Sequence, residues 1–386
     1  MKRKICVVTG SRADYGLLTP LLHEIHNDAA LELQLLVTGM HLCKEYGYTY
    51  KEVEKDFLIN EKIDIELSSH DSVGISKSMG LAQMYFAQAY AQYQPDIVVV
   101  LGDRFEIHAA VSSAMIARVP IAHLSGGELT LGAIDDCMRH AISKMSHLHF
   151  VATQEYKQRV IQLGENPEHV FNFGEAGLDN IFQIDLLSQE AFEESINNKL
   201  LKKRLLITYH PMTLKTLDEN ISDVQNILEC LDVLEDTSLI FTKANADEGG
   251  EKINALLDEF VALNKDKAIL FASLGQQRYL SALQYVDAVV GNTSSGIVEA
   301  PSFKIGSINI GDRQKGRVQA PSVLNTTLSK DSITRALTQL YTREFQEVLG
   351  QVINPYYQQN SSFKTKEVLK NIALDNIINK EFQDIL

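Results

Sequence analysis

The stretch Pro95-Asp-Ile-Val-Val-Val-Leu-Gly-Asp-Arg104 constrains the fold more than any other. Its aliphatic run has no polar alternation, which is the pattern of a strand buried on both faces of a parallel sheet. Gly102 ends the run, and Ala109, Ala110, Ser113 and Ala114 then follow as a helix. The same order of strand, glycine loop and helix recurs. Lys4-Ile-Cys-Val-Val8 leads through Thr9-Gly-Ser-Arg-Ala-Asp-Tyr-Gly16 into Leu17, Leu18, Leu21, Leu22 and Ile25 at helical spacing. Leu31 to Val37 stops at Thr38-Gly39, and Pro120-Ile-Ala122 enters another glycine loop and helix. Further strand-like runs lie at 148–152, 170–174, 204–209, 239–242, 268–272, 288–290 and 307–310. Repetition of this unit predicts an α/β chain of doubly wound, Rossmann-like sheets. A length of 386 residues exceeds one ordinary core, so two such domains facing a central cleft are expected. The expected boundaries are 1–178 and 179–360. A polar, mostly helical linker is expected at 180–203, and a charged amphipathic helix at about 361–386 that packs back on the first domain.

Composition narrows the function classes. Hydrophobic residues make up 45% and charged residues 22%, as in a soluble globular protein. No apolar run approaches the roughly 20 residues needed to span a bilayer. The basic start Met1-Lys-Arg-Lys is followed by an apolar run too short for a secretion signal, so a cytoplasmic location is expected. Cys6, Cys43, Cys137 and Cys230 are scattered without a CxxC pair, which fits a reducing compartment and argues against a zinc cage. His147 and His149 have no further ligands nearby in sequence, so no metal is expected. A net charge of −14 disfavours a nucleic-acid partner. An anionic substrate would need a local cluster of arginines and backbone amides.

Such clusters fall where strands end. In doubly wound sheets ligands sit at the carboxyl ends of strands. Asp103 and Arg104 follow one strand, and Arg12 lies in the first loop, where a guanidinium can bind phosphate through two bonds. The segment 122–140, AHLSGGELTLGAIDDCMRH, passes from a strand through a glycine loop into a helix. Ile134, Met138, Ala141 or Ile142, and Met145 give that helix an apolar stripe. Asp135 and Arg139, four apart, share a neighbouring face. His210 follows the strand at 204–209. Gly291-Asn-Thr-Ser-Ser-Gly-Ile-Val-Glu-Ala300 carries hydroxyls at a strand-to-helix turn suited to a diphosphate, with Glu299 one turn into the helix for ribose hydroxyls. Gly311-Asp312-Arg313 echoes Gly102-Asp103-Arg104. The first loop is not GxGxxG, so a dinucleotide fingerprint is missing.

The ordered motifs TGSRADYG, TGMH at 38–41, LGDR, GGE with IDDxxRHAxxK, HPxT, GNTSSGxxE and INIGDRQKGR run over about 330 residues. Together they resemble the hydrolysing UDP-N-acetylglucosamine 2-epimerases of bacterial sialic-acid biosynthesis. The resemblance implies the two-domain glycosyltransferase-B fold, no cofactor, no metal, and a homodimer or homotetramer. It implies UDP-N-acetylglucosamine as substrate and UDP and N-acetylmannosamine as products, by way of a 2-acetamidoglucal. By motif match it assigns the chemistry to Asp103, Asp135, Arg139 and His210. UDP contacts are assigned to Arg12, Ala13, Arg104, Asn245, Thr293, Ser294, Glu299 and Arg313.

One position departs from the pattern. Many relatives read His-Ile-Glu before Gly-Gly-Glu, and that first Glu is catalytic in them; here the place reads His123-Leu124-Ser125. Glu128 or another acid is then expected to take its share. The principal alternative is the same reaction on a UDP-2,4-diacetamido-2,4,6-trideoxyhexose of the legionaminic-acid type. Others are a non-hydrolysing epimerase, whose relatives carry an HVEAGLR-like loop here, a glycosyltransferase of the same fold, and a non-enzymatic nucleotide-sugar sensor.

Overall fold

The structure is a computed structural model that describes residues 2–67, 71–131, 133–212, 214–244 and 249–384. It divides into two compact units. The first comprises Met1–Glu128, Asp135–Gln183 and Tyr356–Leu386, and the second Leu129–Ile134 and Ile184–Pro355.

The first unit is built on β1 (Arg3–Thr9), β2 (Leu31–Thr38), β3 (Glu61–Ile63), β4 (Ile97–Leu101), β5 (Ile121–Leu124), β6 (Leu148–Val151) and β7 (Val170–Asn172). These form one sheet in the order β3-β2-β1-β4-β5-β6-β7, with every pairing parallel. Ile97 to Val100 are fully buried, as their unbroken aliphatic run requires. Helix Arg12–Asn27 follows β1, capped by Ser11, whose hydroxyl accepts from the Asp14 amide at 3.3 Å. That bond satisfies one of the helix's orphan donors. Leu18, Leu21, Leu22 and Ile25 of this helix are fully buried in the core with Ile5, Val7 and Val99.

The second unit carries β8 (Lys203–Thr208), β9 (Thr237–Thr242), β10 (Ala268–Phe271), β11 (Ala288–Gly291), β12 (Gly306–Ile310) and β13 (Val323–Thr326). Their order is β10-β9-β8-β11-β12-β13, again all parallel. Its core joins Leu205, Ile207, Leu239, Phe241, Val290 and Ile308 to helix residues Ile227, Leu231, Ile253 and Leu257. In each unit the strand order reverses beside the first strand, between β1 and β4 and between β8 and β11. Crevices at such reversals are where open α/β sheets bind ligands.

The C-terminal segment does not form one helix to its end. Helix Ser361–Asn371 packs on helix Arg12–Asn27, and Ile372 leaves it with extended backbone. Ile372, Leu374 and Ile377 then reach the first unit's core, a spacing that a continued helix would spread around its circumference. The segment is also tied by charge. Arg3 Nη1 donates to Leu369 O at 2.8 Å and Ile372 O at 2.9 Å. Lys370 and Lys366 bond the Asp28 carboxylate at 2.8 and 3.3 Å. Together with the Ala30 amide, these lysines hold the Asp28 carboxyl down at about 2. Residues 180–203 contain only two short helices, Asn180–Gln183 and Gln189–Ser195, in place of the mostly helical linker expected. No helix among the described residues is long and apolar enough to cross a membrane.

Candidate active site

In the first unit, the candidate site residues lie beyond the carboxyl ends of β1, β4 and β5. Helix Asp135–Met145 opens with Asp135 and Asp136 in its first turn, where the helix dipole favours acids. Its buried face differs from the expected stripe. Ile134 precedes the helix and is 47% exposed, and the buried residues are Arg139, Ile142 and Ser143. A guanidinium takes the place of an aliphatic residue because it is paired. Arg139 is 4% exposed, donates Nη1 to Ser125 O at 2.8 Å and Nη2 to Asp103 Oδ2, and lies 3.6 Å from Glu128 Oε2. Thus the buried Glu128 and Arg139 and the partly buried Asp103 form one cluster, with Asp135 four residues upstream of Arg139. A carboxylate so placed beside a fixed cation can take or return a proton without reorganisation of its surroundings.

Two residues outside the expected set hold this cluster in place. His123, fully buried on β5, donates Nε2 to Gly102 O at 2.8 Å and accepts at Nδ1 from the Ser143 hydroxyl at 3.0 Å. The carbonyl can only accept, so the ring is the Nε2–H tautomer. Burial pushes its pKa down to about 3. The imidazole therefore stays neutral and joins the Asp103 loop to the helix that carries Arg139. Ser125 adopts φ +61°, and its hydroxyl donates to Glu175 Oε2 at 2.8 Å. The signal for His123 was present, a His one residue from the end of an apolar run. Glu175 had none.

A second group surrounds the first loop. Arg104 Nε donates to Glu106 Oε1 at 2.7 Å, and Glu106 is fully buried. Gly10 leaves room for it, since a Cβ there would lie 2.5 Å from Glu106 Oε1. Arg12 is paired with Glu52 and lies over the Tyr15 ring, and Ala13 is exposed. Asp14 Oδ2 is buried and has no hydrogen-bond partner among the described residues. Burial pushes its carboxyl up to about 6, against the pull of the Arg104 guanidinium. Arg12 and Arg104 thus stand among Asp14, Glu52 and Glu106, acids that the sequence reading did not single out. His41 of the TGMH motif is buried between Thr9 Oγ1 at 3.1 Å and Thr49 Oγ1 at 2.8 Å, and burial lowers its pKa to about 3. His149 is bonded to the buried Glu165 at 2.9 Å, and His147 Nδ1 accepts from the Ile121 amide at 3.1 Å.

In the second unit, His210 follows β8 and Asn292 follows β11, across the switch point. Asn292 Oδ1 accepts from His210 N at 2.7 Å and its Nδ2 donates to His210 O at 2.8 Å. The fully buried amide clamps the His210 backbone and was missed at the sequence level. Gly291 permits this, since a Cβ there would lie 2.0 Å from Thr208 O at a φ of +131°. Arg313 Nη1 and Gln314 Nε2 both donate to Asn292 O, at 3.2 and 2.7 Å. Thr293 Oγ1 accepts from the Ser295 amide at 3.4 Å, and Ser294 precedes helix Ser295–Val298. That helix has four residues, so Glu299 is its C-terminal cap and does not lie within a continuing helix. Burial raises the Glu299 carboxyl, partly opposed by Ser295. Asn245, and Thr213 of the HPxT motif, lie outside the described residues.

The comparisons with known proteins bear on this site. The family model of UDP-N-acetylglucosamine 2-epimerase matches residues 23–370. The chain is 46% identical over 385 residues to a GDP/UDP-N,N'-diacetylbacillosamine 2-epimerase (hydrolyzing) of Campylobacter jejuni, covering 100% of both chains. It is 36% identical over 386 residues to the polysialic acid biosynthesis protein P7 of Escherichia coli, covering 99% of this chain and 98% of the relative. It is 34% identical over 382 residues to a UDP-N,N'-diacetylbacillosamine 2-epimerase (hydrolyzing) of Legionella pneumophila, covering 98% and 99%. The fold matches the Neisseria meningitidis UDP-GlcNAc 2-epimerase bound to UDP-GlcNAc with a TM-score of 0.79, at 18% identity and covering 95% of this chain and all of that one. This chain belongs to the UDP-N-acetylglucosamine 2-epimerase family.

Proposed function

We propose that this protein is a hydrolysing 2-epimerase of a nucleotide-linked 2,4-diacetamido-2,4,6-trideoxyglucose, N,N'-diacetylbacillosamine, with UDP as the nucleotide. The observation that carries the reading is the full-length 46% identity to the Campylobacter jejuni enzyme. It favours the diacetamido sugar over the UDP-N-acetylglucosamine expected from motifs alone. The E. coli relative, named for polysialic acid, supports UDP-N-acetylglucosamine as the second reading.

In the proposed reaction a base removes the C2 proton. The C2–H electron pair becomes the C1–C2 double bond, and the C1–O bond breaks with its electrons leaving on UDP. Water then adds hydroxyl to C1 and a proton to C2 from the opposite face. The C2 proton is weakly acidic, so the base must be a fixed carboxylate. Asp103 and Asp135 are assigned the base and acid roles, and Glu128 shares the charge held by Arg139. His210 is assigned to the glycosidic or phosphate oxygen. Arg12, Ala13, Arg104, Asn245, Thr293, Ser294, Glu299 and Arg313 are assigned to the nucleotide. The reading requires the Asp103 cluster and His210 to act on one substrate.

A proton NMR time course in deuterated water tests it, with UDP-N,N'-diacetylbacillosamine, its GDP analogue and UDP-N-acetylglucosamine supplied separately. The expected products are free nucleoside diphosphate and the 2-epimeric sugar carrying deuterium at C2. The diacetamido substrate should lead in kcat/KM by about tenfold or more, since one recognised polar substituent is worth at least that much. An epimer that keeps its nucleotide would refute hydrolysis. A lead for UDP-N-acetylglucosamine would restore the second reading.

A further inference from the structure

We propose that Glu175 is a positioning residue for this reaction: acting through the Ser125 hydroxyl, it fixes the carbonyl that holds Arg139 against Asp103. The proposal rests on the reading above and adds to it a residue of no assigned role.

Glu175 lies beyond the end of β7, two strands from β5, and is 6% exposed. Its own amide is anchored to Tyr356 O at 2.8 Å. From there its carboxylate reaches past β6 to accept the Ser125 hydroxyl at 2.8 Å. Ser125 is held on both sides of that bond. Its amide donates to Phe150 O of β6 at 2.9 Å, and its carbonyl accepts Arg139 Nη1 at 2.8 Å. The backbone between them has φ +61°, a left-handed state that L residues other than glycine adopt at a cost. Such a conformation persists only where the surroundings over-determine it. Here the bond to Glu175 supplies that constraint, and the left-handed turn aims the Ser125 carbonyl at Arg139. Arg139 Nη2 then bonds Asp103.

A bland account would make Glu175 a buried acid satisfied by a nearby hydroxyl. Burying a carboxylate is costly, and Ser125 could turn left-handed more cheaply as glycine. The line of bonds Glu175–Ser125–Arg139–Asp103 instead joins the ends of β7, β5 and β4 and finishes on the proposed base. Small displacements of such a base are expensive, since about 1 Å can cost 10²-fold in rate.

The test uses Ser125→Ala, Glu175→Leu and Glu175→Gln in the full chain. Ser125→Ala and Glu175→Leu should lower kcat about tenfold or more, with KM and the Kd for UDP within about twofold, as expected of a loss felt only in the transition state. The acid limb of their pH–kcat profiles should move. Glu175→Gln keeps an acceptor for the hydroxyl, so it should recover kcat to within about threefold of the wild type. Crystal structures of the first two variants should show Arg139 displaced from Ser125 O. Wild-type kcat and pH profile in folded Ser125→Ala or Glu175→Leu would overturn the proposal, as would a Glu175→Gln as slow as Glu175→Leu. If Glu175→Leu does not fold, Ser125→Ala decides by the same readouts. If the wild-type protein turns over none of the nucleotide sugars, the reaction assignment fails. The Arg139 position in the variant crystals still decides the positioning claim.

Discussion

Replacing Asp103 with Asn separates chemistry from structure at the proposed site. The amide is nearly isosteric and keeps an oxygen for Arg139 Nη2. Arg139 also retains Ser125 O at 2.8 Å and Glu128 at 3.6 Å, so its charge is not stranded. The structural loss is therefore the difference between a charged and a neutral hydrogen bond, about 1 kcal/mol. In a unit of roughly 200 residues that lowers Tm by about 2–4 °C. The chemical loss is larger. Removing a positioned proton acceptor costs about 10²–10⁴-fold, or roughly 3–5 kcal/mol in the barrier. Asp103→Asn should then melt almost like the wild type and bind UDP with unchanged Kd by calorimetry, yet release UDP at least a hundredfold more slowly in a coupled assay. Arg139→Met gives the opposite balance. It leaves the buried Glu128 and the partly buried Asp103 without their cation, which costs about 3 kcal/mol of stability. If Asp103→Asn released UDP within threefold of the wild-type rate on every sugar tested, Asp103 would not be the base and the cluster would be structural.

Arg313→Ala should weaken UDP binding by about tenfold through a lost charged contact while kcat changes little; a loss confined to kcat in the same titrations contradicts its nucleotide-side assignment. Gly291→Ala places a Cβ 2.0 Å from Thr208 O, so β11 must move from β8. We expect a loss of about 3 kcal/mol or more in urea unfolding, since no side chain can yield there; a melt like the wild type's would refute the close approach. Acid should destabilise the first unit before its acids protonate in bulk. Burial holds His41 and His123 at about 3 and His147 at about 4, so each is neutral when folded but takes up a proton when unfolded below about 6.5. Asp14 opposes them, because at about 6 it is protonated in the folded state and ionised in the unfolded chain. It is only partly protonated when folded between pH 6 and 5, so it offsets less than one proton. The unfolded chain then binds about two more protons near pH 5, and stability falls by about 3 kcal/mol per unit as pH drops from 6 to 5. Equal unfolding free energies at pH 7 and pH 5 would contradict these burials.

The central strands were readable because burial on both faces leaves no freedom in residue type. Ile97 to Leu101 and Ile5 to Val8 admit only aliphatic and small residues, and the glycines after them mark the turns. Two of the four edge strands, β3 and β13, were not readable. β3 is Glu-Lys-Ile and β13 is Val-Leu-Asn-Thr, both half-exposed at the rim of a sheet and carrying no apolar run. Their membership depends on the neighbouring strand, through pairings such as Thr38 with Ile63 and Ile308 with Leu324, and not on their own composition. The C-terminal helix shows the same limit from the other side. Its charged pattern runs smoothly past Asn371, but Ile372, Leu374 and Ile377 are claimed by the core and end it.

The site divides along the same line. Asp103, Arg104, His210 and the 291–296 turn stand just past strand ends, and Asp135 opens the helix that follows β5; position in the pattern already implies access to a ligand there. Arg139 was expected on a helix face beside the apolar stripe, and its burial followed only from its partners. An arginine can replace a core residue when carboxylates and a carbonyl surround it. The partners themselves are distant in sequence and carry no periodic signal. Glu175 is 50 residues from Ser125 and Asn292 is 82 from His210. Each is a single polar residue whose meaning comes from a bond that the fold creates. Residues at strand ends therefore carry a signal of position, and the residues that bond to them carry none. The missed set holds the Asp103 loop and the His210 backbone, each within its own unit. Substitutions at His123, Glu175 and Asn292 should accordingly be felt in kcat more than in nucleotide affinity, while those at Arg12, Arg313 and Thr293 should be felt in affinity first.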